Sequence, residues 1–186
     1  MWKNVANYIT CIRIIGALVL VWIEPLSLTF LVIYSLCGIS DALDGFIART
    51  TNTTSKFGTI LDSIADLIFY SVMLFKVFPT LWSILPAWVW VLTASVLTIR
   101  LASYVVTAIK YHRFATQHTY FNKLTGLSMF LVPYMLKLPI AVGYCVAVCI
   151  IGGLASLEEL LIHLTGKEYI PEQKSLFFKK GKKTAN

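Results

Sequence analysis

The stretch that decides the fold is residues 40–70, SDALDGFIARTTNTTSKFGTILDSIADLIFY. Its four aspartates lie within runs that are otherwise apolar enough to cross a bilayer: Asp41, Asp44, Asp62 and Asp66. A carboxylate at membrane depth is costly unless a partner compensates it, so such residues point to a functional site. The members of each pair are three or four residues apart, and on a helix both spacings place the two side chains on one face. Two helices would therefore present two carboxylate pairs to each other.

Carboxylate oxygens are the ligands that hard cations prefer. Mg²⁺, Mn²⁺ and Ca²⁺ take oxygen ligands, whereas zinc favours His and Cys. The four aspartates therefore predict a divalent-cation site built from oxygen atoms.

The composition predicts an integral membrane protein. Of the 186 residues, 58% are hydrophobic and 13% are charged, whereas a soluble domain carries about 25% charged residues. Apolar runs long enough to span a bilayer recur along the chain. The first of them opens with Asn4, Asn7, Thr10 and Arg13 and lacks a small-residue cleavage site, so we expect it to be retained.

The apolar runs predict an all-α, polytopic fold with six transmembrane helices around a polar cavity that faces the cytoplasm. The expected spans are residues 8–23, 26–49, 57–77, 85–111, 120–138 and 141–164. The third is expected to end before Pro79, and Pro133 is expected to lie inside the fifth. We expect one transmembrane domain over residues 1–166 and a basic cytoplasmic tail over residues 167–186.

The formal net charge of +7 is unevenly placed, which predicts the orientation. Basic residues crowd the tail and two of the loops: Arg49, Lys56, Lys110, Arg113, Lys179, Lys180, Lys182 and Lys183. By the positive-inside rule these segments are cytoplasmic, so both termini and the aspartates are expected on the cytoplasmic side of the cell membrane. The basic tail is expected to touch anionic membrane lipids, not nucleic acid.

One pattern links the aspartates to small residues at fixed spacing. Residues 41–66 read D-x-x-D-G-x-x-A-R-x8-G-x-x-x-D-x-x-x-D, which resembles the signature of the CDP-alcohol phosphatidyltransferase family at every position. A second element, Asn7, Thr10 and Arg13, is similar to the N-x-x-T-x-x-R that opens the first span of many members, although Ala6 stands where proline is usual.

The resemblance implies an enzyme that moves a phosphatidyl group from CDP-diacylglycerol to an acceptor alcohol and releases CMP. It implies two divalent cations, Mg²⁺ or Mn²⁺, about 4 Å apart, and it also implies a homodimer. Asp41, Asp44 and Asp62 are expected as the main metal ligands. Asp66 is expected to contribute to the metal site and to take the acceptor proton as general base.

The remaining motif residues are expected to bind the CDP-lipid. Gly45 and Gly58 would let the cytidine and its phosphates lie against helix backbone, and Ala48 must be small for the same reason. Arg49 would contact the pyrophosphate or hold the metal-site geometry, and Asn7 would contact the nucleotide region.

Arg100 and Lys123 are expected to line the acceptor site. Two cations there are costly without an anionic partner, which favours glycerol 3-phosphate as the acceptor. The segment from Asp62 to Leu67, D-S-x-A-D-L, instead looks more like bacterial phosphatidylserine synthases. Serine, inositol phosphate and phosphatidylglycerol therefore remain alternatives.

Two other interpretations stay open. Cationic side chains could neutralise the aspartates in a purely structural ion cluster, the candidates being Arg13, Arg49, Arg100 and Lys123. A membrane cation transporter would share the acidic residues and the six spans. Glu158 and Glu159 are expected to be a solvated or helix-capping pair, and His163 is expected to be an ordinary residue at the end of the last span.

Overall fold

The structure is a computed structural model that describes residues 5–50, 56–111 and 119–165, with side chains at 7–41, 43, 58, 60–110 and 119–165. The described part of the chain forms six helices: α1 Val5–Leu20, α2 Leu28–Thr50, α3 Lys56–Ile84, α4 Ala87–Tyr111, α5 Tyr120–Met135 and α6 Ala141–Thr165. The described residues contain no strand, so the all-α prediction is confirmed.

Among the described residues, three helices are long and apolar enough to cross a membrane: Ile60–Ile84, Ala87–Lys110 and Ala141–Thr165. Two shorter apolar helices cover Asn7–Leu20 and Leu28–Asp41. Large apolar side chains such as Phe75 and Leu74 point outward and are highly exposed, as expected for surfaces that face lipid. The protein is therefore an all-helical membrane protein, and a count of six spans stays a prediction.

Two prolines lie inside described helices, and the sequence predicted the position of only one of them correctly. Pro133 lies inside α5, as expected. The prediction that the third helix ends before Pro79 is wrong, because α3 continues through Pro79 to Ile84. A proline removes one backbone hydrogen bond of a helix. Pro79 lies close to the end of α3, and a membrane helix tolerates this loss when its other backbone hydrogen bonds are kept.

The chain divides into two compact units, residues 1–84 and residues 85–186. The first contains α1 to α3 and the second contains α4 to α6. The predicted boundary at residue 166 falls outside the described residues, so the separate basic tail stays a prediction.

In the first unit, α1 packs against both α2 and α3. Tyr34 of α2 and Phe69 of α3 stack with their ring centroids 5.5 Å apart. Lys76 of α3 donates from Nζ to the carbonyl of Val21, just past the end of α1, at 3.0 Å. Helix α1 is thereby fixed against α2 and α3 in the unit that carries the aspartates.

Gly16 lets α1 approach α2 closely. A Cβ atom added at Gly16 would lie 2.8 Å from Sγ of Cys37, which is too short for a carbon–sulfur contact. Cys37 is itself buried, so its sulfur has little room to move. The close approach therefore requires glycine at this position.

We expect Gly16→Ala to destabilise the protein by about 1–3 kcal/mol, the usual cost of overpacking a core. The measurement is the midpoint of thermal unfolding in detergent. Cys37→Ala removes the opposing sulfur, so the double variant Gly16→Ala/Cys37→Ala is expected to be more stable than Gly16→Ala alone. Equal stability of the single and double variants would show that the Cys37 sulfur does not limit this approach.

In the second unit, α6 packs against both α4 and α5. Thr119 caps α5 by accepting a hydrogen bond from the backbone N–H of Asn122 at 3.2 Å. Midway along α5, the carbonyl of Ser128 accepts a hydrogen bond from the Tyr144 hydroxyl of α6 at 2.8 Å. These contacts hold α5 along α6 and fix the start of α5, where Asn122 and Lys123 lie.

Candidate active site

The first unit brings three of the predicted aspartates together. Asp41 lies on α2, and Asp62 and Asp66 lie one turn apart on α3. One carboxylate oxygen from each residue falls in a group whose atoms all lie within 4.8 Å of one another. Asp44, the second member of the α2 pair, lies outside the described side chains, so the expectation that two helices present two carboxylate pairs to each other stays a prediction.

Arg13 of α1 connects the three carboxylates, which we call the Asp triad (Asp41, Asp62 and Asp66). Its Nη1 donates to Oδ1 of Asp66 at 2.7 Å and also to Oδ1 of Asp41. Its Nη2 donates to Oδ1 of Asp62 at 2.6 Å. Charge-assisted bonds of this kind are the strongest class of side-chain hydrogen bond, so one guanidinium links α1, α2 and α3.

Burial differs sharply between the arginine and its partners. The Arg13 side chain is 1% exposed, whereas those of Asp41, Asp62 and Asp66 are 45%, 45% and 39% exposed. The guanidinium therefore lies on the buried side of the Asp triad, and the carboxylates keep an accessible side. Each carboxylate has two oxygens and several lone pairs, so contact with Arg13 leaves acceptor capacity.

The chemistry of this donor set fits a hard divalent cation. The described candidate ligands are carboxylate oxygens alone, which Mg²⁺ and Mn²⁺ favour. The close spacing of the three oxygens suits a shared ion. The Asp triad therefore offers oxygen ligands of the kind that the predicted cation site requires, and its role as that site stays a prediction.

Other residues of the predicted site lie on the same helices. The surroundings of four α2 residues fall outside the described side chains, and their roles stay predictions: Asp44, Gly45, Ala48 and Arg49. Gly58 is half-buried on α3, four residues and so one turn before Asp62. Asn7 is half-buried near the start of α1.

Arg13 is the residue that sequence reasoning undervalued. From the sequence alone it has no predicted site role beyond membership of the N-x-x-T-x-x-R element and of the set of cations able to neutralise the aspartates. Its signal was present: a charge in an otherwise apolar helix, three residues after Thr10 and therefore on the same face. Both Thr10 and Arg13 are buried, at 4% and 1% exposure.

The second unit holds Arg100 in an internal ion pair. Nη1 of Arg100 lies 2.9 Å from Oε2 of Glu159 and donates to Oδ1 of Asn122 at 2.8 Å. Nε donates to the hydroxyl of Tyr104 at 3.1 Å. Asn122 also donates to Oε2 of Glu159 at 3.0 Å, so α4, α5 and α6 share one charged network.

The expectation that Glu158 and Glu159 form a solvated or capping pair is wrong. Glu158 is 9% exposed and Glu159 is fully buried. The reason is the packing of α6 against both α4 and α5, which places Glu159 beside Arg100 and Asn122. Lys123, the other predicted acceptor residue, is exposed on α5.

His163 is also built into the second unit and is not an ordinary helix-end residue. Its Nδ1 lies 2.7 Å from the Thr107 hydroxyl and 3.2 Å from the Ser103 hydroxyl. Lys110 donates to the carbonyl of His163 at 2.8 Å. Ser103, Thr107 and Lys110 follow Arg100 along one face of α4, so a polar stripe joins α4 to α6.

Comparison with known proteins agrees with the motif. The family model described as CDP-alcohol phosphatidyltransferase matches residues 3–159. The chain belongs to this family.

Similar proteins differ in the acceptor that their names give. The chain is 39% identical over 69 residues to a CDP-diacylglycerol–serine O-phosphatidyltransferase of Methanocaldococcus jannaschii, covering 37% of this chain and 32% of the relative. It is 32% identical over 88 residues to a CDP-diacylglycerol–inositol 3-phosphatidyltransferase of Candida albicans, covering 44% and 38%. It is 33% identical over 95 residues to a CDP-diacylglycerol–glycerol-3-phosphate 3-phosphatidyltransferase of Sodalis glossinidius, covering 47% and 52%.

The matches thus span about a third to a half of the length of these relatives. No solved structure gives a significant match to the chain.

Proposed function

We propose that the protein is a metal-dependent phosphatidyltransferase that uses CDP-diacylglycerol as donor and a small polar alcohol as acceptor, with release of CMP. The observation that carries this proposal is the Asp triad: three motif carboxylates from α2 and α3 lie close together in a chain that matches the family over residues 3–159. The proposed site uses the accessible side of these carboxylates.

The reaction forms one bond from oxygen to phosphorus and breaks another. The acceptor hydroxyl attacks the phosphorus that carries the diacylglycerol, and the bond from that phosphorus to the CMP oxygen breaks. Divalent cations, when bound, neutralise the pyrophosphate and the leaving phosphate. Asp41, Asp44 and Asp62 would hold them, and Asp66 would also accept the proton of the attacking hydroxyl.

The nucleotide end of the donor is assigned to the small residues of the motif. Gly45, Ala48 and Gly58 would leave space for the cytidine and its phosphates against the backbone of α2 and α3. Arg49 would pair with the pyrophosphate, or hold the metal-site geometry, and Asn7 would contact the nucleotide. What supports these roles is the match of each residue to the family motif.

The ion pair of Arg100 bears on the acceptor. The preference for glycerol 3-phosphate as acceptor rests on the need of Arg100 and Lys123 for an anionic partner. Arg100 has one within the protein, because Glu159 lies 2.9 Å from its Nη1. Lys123 is exposed near the start of α5, and a lysine near a helix end can extend its charged group to the polar membrane interface without an anionic partner. This pairing favours an acceptor without net charge, so serine becomes the second candidate beside glycerol 3-phosphate.

Lys123 separates the two candidates. If serine is the acceptor, Lys123→Ala should leave the KM for serine within about twofold of the unchanged protein. If glycerol 3-phosphate is the acceptor, the same change should raise its KM by about tenfold or more, since a hydrogen bond to a charged group contributes about 1.5–3 kcal/mol. The measurement is CMP release with each alcohol at saturating CDP-diacylglycerol.

Lys137→Ala is the matched control, because Lys137 is an exposed lysine in the turn after α5. It should leave both KM values unchanged. A fall in activity with serine for Lys123→Ala but not Lys137→Ala would contradict the assignment of serine.

A cation transporter is the competing class of function. It would use the same carboxylates but would neither bind CDP-diacylglycerol nor release CMP. Family membership supports the transferase, and within the described residues α2 and α3 run uninterrupted past the Asp triad, unlike the broken helices typical of transporter sites. The cytoplasmic location of both termini and of the site, and the homodimer, stay predictions of the charge pattern and of the family resemblance.

A further inference from the structure

The Asp triad has a positively charged partner within the protein, the guanidinium of Arg13. Arg13 bonds to all three carboxylates through its two terminal nitrogens, and its side chain is 1% exposed. A buried arginine in this position is held by the carboxylates, and the carboxylates are held by it. The contact therefore does for the Asp triad what a bound cation would do.

Three carboxylates this close repel one another strongly unless a cation compensates them. Their oxygens lie within 4.8 Å, and repulsion between like charges at such distances is large where water is partly excluded. In the protein without a divalent cation, Arg13 offsets this repulsion. When a divalent cation is bound, the cation offsets it too, and the two positive charges then repel each other.

We propose that Arg13 is an internal counter-charge for the cation site: it stabilises the Asp triad when no divalent cation is bound, and it lowers the affinity for that cation. The inference rests on the proposed function, because it takes the Asp triad to be the cation site. It assigns Arg13 as a positioning residue that acts through the three aspartates.

The sign of the effect follows from a thermodynamic cycle. Arg13 stabilises the cation-free form more than the cation-bound form, because only in the bound form does a second positive charge face it. By reciprocity, removing Arg13 must strengthen cation binding by the same factor by which cation binding weakens the Arg13 contact. A residue that only built the site would give the opposite sign, since its loss would weaken cation binding.

The experiment compares the unchanged protein with Arg13→Met and Arg13→Lys in detergent. Two quantities are measured for each: the Kd for Mn²⁺ by electron paramagnetic resonance, and the unfolding midpoint in EDTA and in saturating Mg²⁺. Methionine keeps length and apolar bulk without charge. Lysine keeps the charge but lacks the fork that reaches several carboxylates at once.

For Arg13→Met we expect a lower unfolding midpoint in EDTA, a larger rise on adding Mg²⁺, and a Kd for Mn²⁺ lowered by about tenfold, within the 5–150-fold range usual for coupled sites. For Arg13→Lys, the unfolding midpoint, its rise on adding Mg²⁺ and the Kd for Mn²⁺ should each lie between the values for Arg13→Met and for the unchanged protein. If Arg13→Met cannot be purified, Arg13→Lys alone tests the proposal. The proposal then requires a Kd for Mn²⁺ in Arg13→Lys that is lower than that of the unchanged protein.

Lys76→Met is the matched control. Lys76 is another cation of the first unit, and it bonds to the carbonyl of Val21 at 3.0 Å. Its replacement should leave the Kd for Mn²⁺ unchanged. A decrease in Kd equal to that of Arg13→Met would show that the effect comes from the net charge of the protein and not from contact with the Asp triad, and it would overturn the proposal.

The remaining outcomes distinguish a failure of the role of Arg13 from a failure of the proposed metal site. A Kd that is unchanged or higher in both Arg13 variants, with Mn²⁺ still bound by the unchanged protein, would overturn the role of Arg13 alone. Failure of the unchanged protein to bind Mn²⁺ would overturn the metal site of the proposed function, and this inference with it.

Discussion

Replacing Asp62 by Asn is expected to reduce CMP release by at least about a hundredfold while the protein still inserts and purifies. Asp62 supplies one of the three clustered carboxylate oxygens and bonds to Nη2 of Arg13 at 2.6 Å. Asparagine keeps the size but loses the charge that a cation requires, and loss of a single charge-stabilising group in an active site costs about 10²–10³ in rate. The measurement is CMP released per protein at saturating donor and acceptor.

Glu24→Gln provides the matched control. It makes the same carboxylate-to-amide change at an exposed residue between α1 and α2, and it should leave the rate unchanged. Asp41→Asn should resemble Asp62→Asn, because Asp41 belongs to the same Asp triad on the opposite helix. Substantial turnover by Asp62→Asn would show that the Asp triad is a structural ion cluster.

Breaking the ion pair between Arg100 and Glu159 is expected to cost about 3–5 kcal/mol of unfolding free energy. Glu159 is fully buried and Arg100 is 26% exposed, and removing one partner of a buried pair leaves the other charge without compensation. Arg100→Met should therefore be strongly destabilised, as measured by the free energy of unfolding in mixed detergent micelles.

The double variant Arg100→Met/Glu159→Leu should be more stable than Arg100→Met, because it removes both charges of the pair and leaves neither without its partner. Lys110→Met is the control on the same helix. Lys110 is an exposed cation that bonds to carbonyls of α6, so its loss should cost only about 1 kcal/mol. A double variant as unstable as Arg100→Met would mean that Glu159 is stabilised by partners other than Arg100.

Much of the fold could be predicted from the sequence because helices in lipid must satisfy their own backbone and be apolar along their length. The starts of α4, α5 and α6 lie within two residues of the predicted span starts. The approach of Asp41 to Asp62 and Asp66 followed from helical spacing together with the family motif. These features are local, or they repeat a pattern at fixed spacing.

The partners of the charged residues could not be predicted in this way. The contact of Arg13 with the aspartates joins residues 28, 49 and 53 positions apart, and only the packing of α1 against α2 and α3 brings them together. The burial of Glu159 likewise depends on how α6 lies against α4 and α5. Adjacent glutamates near a helix end are usually exposed, so sequence alone favoured the wrong environment.

The proposed transferase activity is measured by following CMP and phospholipid together, with the purified protein, CDP-diacylglycerol and Mg²⁺ or Mn²⁺. Serine, glycerol 3-phosphate and inositol phosphate are supplied one at a time. We expect equimolar CMP and a new phospholipid with one acceptor, no product in EDTA, and at least about a hundredfold less product from Asp62→Asn. Absence of CMP release with any acceptor, together with cation flux into liposomes that contain the protein, would contradict this expectation and indicate a transporter.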